Sequence, residues 1–147
     1  MSKFKYALSL VAFILAFFIT KYIVGIGFKS YHESSSKQDF NQILIETVSE
    51  LNSNLPMMVD SETRLNNAVG FNKILKYNNT LINYTANEIS PSNIYNALDK
   101  KITNSVCTSK EMKIFLDNDI IIRYSYSGKN GKFIIDITVS KSKCLTI

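Results

Sequence analysis

The sequence contains few of the residues from which catalytic and metal sites are usually built. Its 147 residues include one histidine, two cysteines and five glycines. A tetrahedral zinc site needs more ligands than two cysteines provide, and the single histidine, His32, lies in a polar stretch that we predict to be a linker. The glycines form neither Gly-x-Gly-x-x-Gly nor Gly-Lys-Ser, the elements that cradle phosphates. We therefore expect no metal and no cofactor.

The usual elements of nucleophilic catalysis are also missing. No Gly-x-Ser-x-Gly element is present, and the Ser-x-x-Lys letters at Ser34–Lys37 fall in the same polar stretch, not at the start of a helix. The only histidine is in the linker, and we expect the two cysteines to pair with each other. We predict that the chain is not an enzyme.

The net charge of +5 comes largely from the beginning of the chain. Residues 1–36 hold four lysines against one glutamate, whereas the remaining 13 basic and 11 acidic residues nearly balance. A nucleic-acid partner requires a concentrated basic surface. We therefore expect no nucleic-acid partner.

The most informative feature that is present is an apolar run of 23 residues, Tyr6 to Phe28, interrupted only by Lys21. As a helix this run would be roughly 34 Å long, enough to cross a hydrocarbon core of about 30 Å. Lys3 and Lys5 precede it, and short basic flanks stay in the cytoplasm. We predict a transmembrane anchor over residues 1–28, with everything after it outside the cytoplasm.

A cleaved signal peptide is the alternative interpretation of the same segment. Its basic start and apolar stretch fit such a peptide, and Gly25-Ile-Gly27 loosely resembles a cleavage site. The apolar stretch is long for this purpose, however, and the apolar character resumes after Lys21. No cysteine lies near position 20, so lipoprotein processing is excluded. Both interpretations send the rest of the chain to the same compartment.

Residues 29–37 are polar and serine-rich, which predicts a short linker, and residues 38–147 have the size of one domain. In an oxidising compartment we expect Cys107 and Cys144 to form a disulfide. A metal site and a redox dithiol are the alternatives, but further ligands and Cys-x-x-Cys spacing are both absent.

Hydrophobic periodicity predicts two αββ units in this domain. A helical stripe starts at Phe40 and ends before Pro56, and strands are predicted over Met57–Leu65 and Ile74–Tyr84 with turns at Asn66-Asn67 and Gly70–Asn72. A second helix starts near Pro91, a short third helix follows Thr108, and a β-hairpin with Asn130-Gly131 in its turn closes the chain. The predicted fold class is α+β, with an N-terminal transmembrane helix and an αββ-ααββ domain. Its antiparallel four-stranded sheet would carry the helices on one face.

Several strings in this domain resemble a family of small bacterial membrane-anchored envelope proteins of unassigned function. They are Leu55-Pro-Met-Met-Val-Asp-Ser-Glu-Thr-Arg-Leu65, Tyr77-x-x-Thr-Leu-x-Asn-Tyr84, Val106-Cys107, Tyr124-x-Tyr126 and the final Cys144. The resemblance implies a bacterial envelope protein, so the anchor predicted from the apolar run would be a single span of the inner membrane with the domain in the periplasm. It implies no activity.

Two groups of residues are candidates for contact with a partner. Asp60, Glu62 and Arg64 alternate along a predicted strand and would form a polar strip on one face. A solvated or ion-paired strand face is the alternative, and a domain of this size seldom offers the cleft that acid–base catalysis needs. Four tyrosines could form an exposed aromatic patch, since tyrosine is favoured at interfaces, or could pack in the core: Tyr77, Tyr84, Tyr124 and Tyr126.

The function that we predict is binding without catalysis. A periplasmic domain stapled by a disulfide and lacking catalytic residues is typical of an accessory or assembly component that binds another envelope protein. The alternative is a periplasmic inhibitor or immunity-type protein that neutralises an enzyme.

Overall fold

The computed structural model describes residues 40–146. The predicted anchor, residues 1–28, and the predicted linker, residues 29–37, lie outside this range. Within residues 40–146 no helix combines the length and the apolar character that crossing a bilayer requires.

Four helices and five strands make up the described part of the chain. The helices are α1 (Phe40–Ser53), α2 (Pro91–Thr108), α3 (Lys110–Asp117) and α4 (Lys141–Cys144). The strands are β1 (Met57–Met58), β2 (Thr63–Phe71), β3 (Ile74–Leu81), β4 (Ile121–Gly128) and β5 (Phe133–Val139).

The predicted antiparallel four-stranded sheet is wrong, because the strands form one mixed five-stranded sheet. Its spatial order follows the chain, β1-β2-β3-β4-β5. Strands β3 and β4 pair in parallel, with Tyr77 opposite Tyr124, and the other pairs are antiparallel. The reason is the connection: β3 and β4 are separated by α2 and α3, and a crossover of that length can return the chain in the same direction.

The first predicted strand, Met57–Leu65, is also wrong. Strand β1 has only two residues, and residues 59–62 form a turn before β2 begins at Thr63. The predicted turn at Asn66-Asn67 is part of β2, where the register shifts between Leu65 and Asn67. This β-bulge keeps Leu65 and Ala68 on the buried face although they are three positions apart. Alternation read from the sequence has no means of detecting such an insertion.

The β2–β3 turn contains Asn72 and Lys73, whose φ angles are 46° and 61°. These values are typical of the tight turns that match the twist of a hairpin. The sequence places a turn at Gly70–Asn72, so its position is right to within a residue or two.

The apolar stripes predicted for α2 and α3 are confirmed. The buried residues of α2 include Ile94, Leu98, Ile102 and Val106. Helix α3 buries Met112, Phe115 and Leu116 and starts at Ser109, whose hydroxyl accepts a hydrogen bond from the Met112 backbone N–H at 3.2 Å. These side chains join the inward-facing residues of the sheet in a single core.

Helix α1 runs antiparallel to β2 on the buried face. Leu44 contacts Gly70, where a Cβ atom would lie only 2.7 Å from Leu44 Cγ. In its last turn, Asn52 Nδ2 donates to the Ala68 carbonyl at 2.9 Å, and the Ala68 N–H donates to Asn52 Oδ1 at 2.7 Å. The start of α1 is therefore directed toward the end of the sheet that holds Phe71.

Cys107 at the end of α2 and Cys144 in α4 are joined by a disulfide, with their Cα atoms 5.5 Å apart. This is the predicted pairing. Lys143 reinforces it, since its ammonium lies 2.5 Å from the Asp99 carboxylate on α2. The C-terminal segment is therefore held against α2.

Candidate partner-binding cleft

A cleft of about 220 Å³ opens between the first half of α2 and one end of the β2–β3 hairpin. We call the end of the hairpin where Thr63 pairs with Leu81 the cleft end. Apolar side chains form the floor of the cleft: Leu81, Ile94, Ala97, Leu98 and Tyr126. Three carboxylates stand among the lining residues: Asp60, Glu62 and Glu88.

The turn between β1 and β2 places Asp60 at the cleft. Its Oδ1 accepts hydrogen bonds from the backbone N–H groups of Glu62 at 2.7 Å and of Thr63 at 2.8 Å. This arrangement, in which an aspartate side chain closes a turn, is why the chain leaves the extended conformation here. The other oxygen, Oδ2, is buried and accepts no hydrogen bond from the described residues. Asp60 therefore stabilises the turn through Oδ1, and its Oδ2 has no hydrogen-bond donor among the described residues.

Glu62 stands next to Asp60 and contacts the loop after β3. Its Oε1 accepts a hydrogen bond from the Tyr84 hydroxyl at 3.3 Å. Partial burial raises the pKa of Tyr84, and the negative charge of Glu62 raises it further. Tyr84 is therefore a neutral hydrogen-bond donor at neutral pH.

Glu88 completes the acidic side of the cleft by closing its own turn. Its Oε2 accepts from the Thr85 backbone N–H at 2.6 Å and from the Thr85 hydroxyl at 2.8 Å. These hydrogen bonds lower the pKa of Glu88, and the positive charge of Lys129 lowers it further. Glu88 is therefore ionised at neutral pH.

The structure divides the predicted Asp60–Glu62–Arg64 strip. Asp60 and Glu62 lie together at the cleft, as part of a turn and not of a strand. Arg64 is exposed between the buried residues Thr63 and Leu65, so its side chain points to the opposite face of the sheet. There its Nε donates to Asn66 Oδ1 at 2.8 Å. Arg64 therefore does not belong to the cleft.

Three of the four candidate interface tyrosines, Tyr77, Tyr124 and Tyr126, are in the core, which is the alternative that the sequence leaves open. Tyr124 is 6% exposed and stacks on Tyr77, with ring centroids 5.0 Å apart. Tyr126 is 2% exposed and lies under the cleft, where burial raises its pKa strongly. Tyr126 is thus part of the floor and not of an exposed patch.

Sequence reasoning named Tyr84 as a candidate contact residue without placing it beside Asp60 and Glu62, and it missed Glu88 and Leu81 as members of the site. They come from strand β3 and the loop that follows it, which contact the β1–β2 turn only because the hairpin folds back on itself. A partial signal was present, since Thr85 and Glu88 have the spacing of a capping box.

No group of three or more histidine, cysteine, aspartate or glutamate side chains within residues 40–146 is arranged to hold a metal ion. The three cleft carboxylates are instead occupied in part by turn N–H groups and by Tyr84. Apolar walls with negative charge beside them suit a ligand that presents an apolar group next to a cation.

No protein-family model matches the chain. No curated protein matches it either.

Solved structures share the fold. A Pseudomonas aeruginosa protein described as secreted is similar, with a TM-score of 0.64, 15% identity, and coverage of 76% of this chain and 99% of that protein. Two pilotins of type II secretion systems are similar as well. For the pilotin EpsS of Vibrio vulnificus the TM-score is 0.57 at 14% identity, with 71% of this chain and 90% of that one covered. For the pilotin AspS of Vibrio cholerae the values are 0.54, 17%, 71% and 91%. At these identities the similarity establishes a common fold.

Proposed function

We propose that this chain is an accessory or assembly protein of the bacterial envelope that binds another envelope protein through its cleft. The observation that carries the proposal is the cleft itself, an apolar hollow beside α2 with Asp60, Glu62 and Glu88 among its lining residues. The fold shared with two pilotins of type II secretion systems supports an accessory role.

The partner segment that fits this cleft is short, apolar on the side that enters, and basic beside it. The cleft volume of about 220 Å³ accommodates one or two side chains of the size of leucine, not a folded domain. A lysine or arginine next to the inserted residue would lie near the three carboxylates, where it would be attracted in a partly desolvated setting.

The proposed location is the outer side of a bacterial inner membrane, with residues 1–28 as a single-pass anchor. Two features support it: the apolar run Tyr6–Phe28 is long enough for a span, and the domain contains the Cys107–Cys144 disulfide, which is typical of oxidising compartments. The domain would then be held near the membrane, close to other envelope proteins.

Photocrosslinking in intact bacterial cells tests the binding proposal. A photoreactive residue at Asn93, which lines the cleft, should yield an adduct with one other envelope protein. The matched control is a photoreactive residue at Asn104, which is exposed on the same helix and is not among the cleft residues. Equal adducts from both positions, or recovery of monomer alone, would contradict the proposal.

Charge reversal tests the contribution of the carboxylates. Glu62→Lys should reduce the Asn93 adduct several-fold, because it places a cation opposite the basic partner residue. Glu46→Lys, an exposed position on α1, is the control for the change in net charge and should leave the adduct unchanged. An adduct with an enzyme that loses its activity on binding would instead favour the inhibitor alternative.

A further inference from the structure

The face of the sheet opposite the helices carries an apolar row at the end remote from the cleft. Phe71 pairs with Ile74 across the β2–β3 turn, and Ile74 pairs with Ile121 on β4. Phe71 is 51% exposed, and Val69, which lies on the same face of β2, is 39% exposed. We call these four residues with the β2–β3 turn the hairpin end. Ile74 and Ile121 are half-buried, so they extend the apolar surface that Phe71 and Val69 expose, and an exposed apolar patch of this kind marks a contact surface.

The charges around this row favour contact with a partner surface that carries anionic groups over an apolar layer. Lys73 in the turn and Lys76 on β3 flank the apolar residues, and within residues 40–146 neither ammonium forms an ion pair. One carboxylate, Asp119, lies two positions before Ile121. Arg123, the next charged residue on this face, forms an ion pair with Asp136, and Arg123 Nε lies 3.8 Å from Asp136 Oδ2. The hairpin end is therefore apolar with a small excess of positive charge, whereas the cleft end is acidic.

The chain enters the domain on the same side. Helix α1 is antiparallel to β2, and its early residue Leu44 contacts Gly70, next to Phe71. From Phe28 to Phe40 an extended chain spans at most roughly 40 Å. A domain tethered through that segment keeps its point of entry nearest to the tether, so the hairpin end is the part best placed to touch the membrane.

We propose that the hairpin end is a membrane-contacting surface. Phe71 and Val69 enter the boundary between headgroups and acyl chains, and Lys73 and Lys76 lie among anionic lipid phosphates. The opposite end of β2 is about 26 Å away. The domain would thus stand on the bilayer with its cleft directed away from the lipid. This orientation rests on the proposed membrane attachment, whereas the contact itself rests on the surface of the described domain.

The chain has no tryptophan, so the fluorescence of one introduced tryptophan reports the environment of that position alone. The full chain carrying Phe71→Trp would be reconstituted in vesicles of zwitterionic phospholipid with a minority of anionic phospholipid. Lipids brominated on their acyl chains would serve as the quencher. We expect a blue-shifted emission and strong quenching. Val69→Trp is a second reporter on the same surface, should the first variant fold poorly.

Phe133→Trp is the matched control. Phe133 is 61% exposed and pairs with Ser127 near the opposite end of the sheet. Its indole should remain red-shifted, resist the brominated lipid and be quenched by aqueous iodide. In the Phe71→Trp background, Lys73→Gln with Lys76→Gln should reduce quenching in anionic vesicles and leave it unchanged in purely zwitterionic ones.

Equal accessibility of the two indoles to iodide would overturn the proposal, whether or not the chain stays with the vesicles. A blue shift that grows with protein density and ignores brominated lipid would also overturn it, in favour of contact between copies. Neither result depends on the Asn93 crosslink, so the membrane contact and the partner-binding function can each fail alone.

Discussion

The two ends of the β2–β3 hairpin use the same strands for opposite surfaces. At the cleft end, where Thr63 pairs with Leu81, turns and α2 surround an apolar hollow lined with carboxylates. At the hairpin end, where Phe71 pairs with Ile74, a tight turn leaves apolar side chains in the open. The cleft end is assembled from distant segments, whereas the turn that forms the hairpin end is local. The two surfaces should therefore respond differently to changes in the scaffold.

Removing the disulfide should produce the largest effect, and mainly on the side of the hairpin end, because Cys107 is in the last turn of α2 and α4 lies beside Ile121. Cys107→Ser with Cys144→Ser opens a loop of 37 residues, which should cost about 4 kcal/mol of unfolding free energy. Urea denaturation measures this loss. Hydrogen exchange should show faster deuterium uptake in α4 and the last turn of α2, while the amides near Leu81 at the cleft end stay protected. Equal loss of protection at both ends would show that the two surfaces are one cooperative unit.

Crowding the hairpin end should come next. In Gly70→Ala the added Cβ lies 2.7 Å from Leu44 Cγ, so α1 must shift away from β2, at a cost of about 1–3 kcal/mol. Val69→Ala is the neighbouring control; because Val69 is exposed, its effect should be within about 0.5 kcal/mol. The comparison is made from urea midpoints. A neutral Gly70→Ala would mean that α1 has room to move.

Two substitutions of Asp60 distinguish its structural role from a role in binding at the cleft end. Asp60→Ala removes the acceptor for two backbone N–H groups and should cost about 1.5 kcal/mol. Asp60→Asn keeps an acceptor oxygen and should cost clearly less, yet it removes the charge that a basic partner would meet. Denaturation and the Asn93 crosslink are read together. If the asparagine variant crosslinks as the native chain does, the Asp60 charge plays no part in binding.

The smallest effect concerns acid pH and Glu88. Because hydrogen bonds from Thr85 lower the pKa of Glu88 in the folded chain, this carboxylate stabilises the turn above its unfolded pKa. That contribution is lost as the pH falls through the folded pKa. Exchange of the Thr85 amide should therefore accelerate, relative to its intrinsic rate, in acid. In Glu88→Gln this acceleration should be absent, and its persistence would assign the effect to another group.

Local periodicity was sufficient for the elements whose partners are close in the chain. The stripe of α2, the short helix after Thr108 and the β4–β5 hairpin were all predicted, because each depends on residues a few positions apart. The strand before Leu65 was misjudged, because Asp60 takes up backbone N–H groups that a ladder would otherwise use. Only part of the cleft was predicted: Asp60 and Glu62 were identified, whereas Leu81 and Glu88 were not.

The amino-acid sequence alone determined the positions of α2 and α3, which side chains are apolar enough to be buried, and that two cysteines were available to pair; α4 was not predicted. Those properties follow from spacing and residue chemistry, which act over a few residues. Only the tertiary structure decided that β3 and β4 run in parallel, that Tyr124 and Tyr126 lie inside, and that Glu88 and Asp60 line the same cleft. The reason is that these relations depend on how segments dozens of residues apart pack together, and no local pattern records that packing.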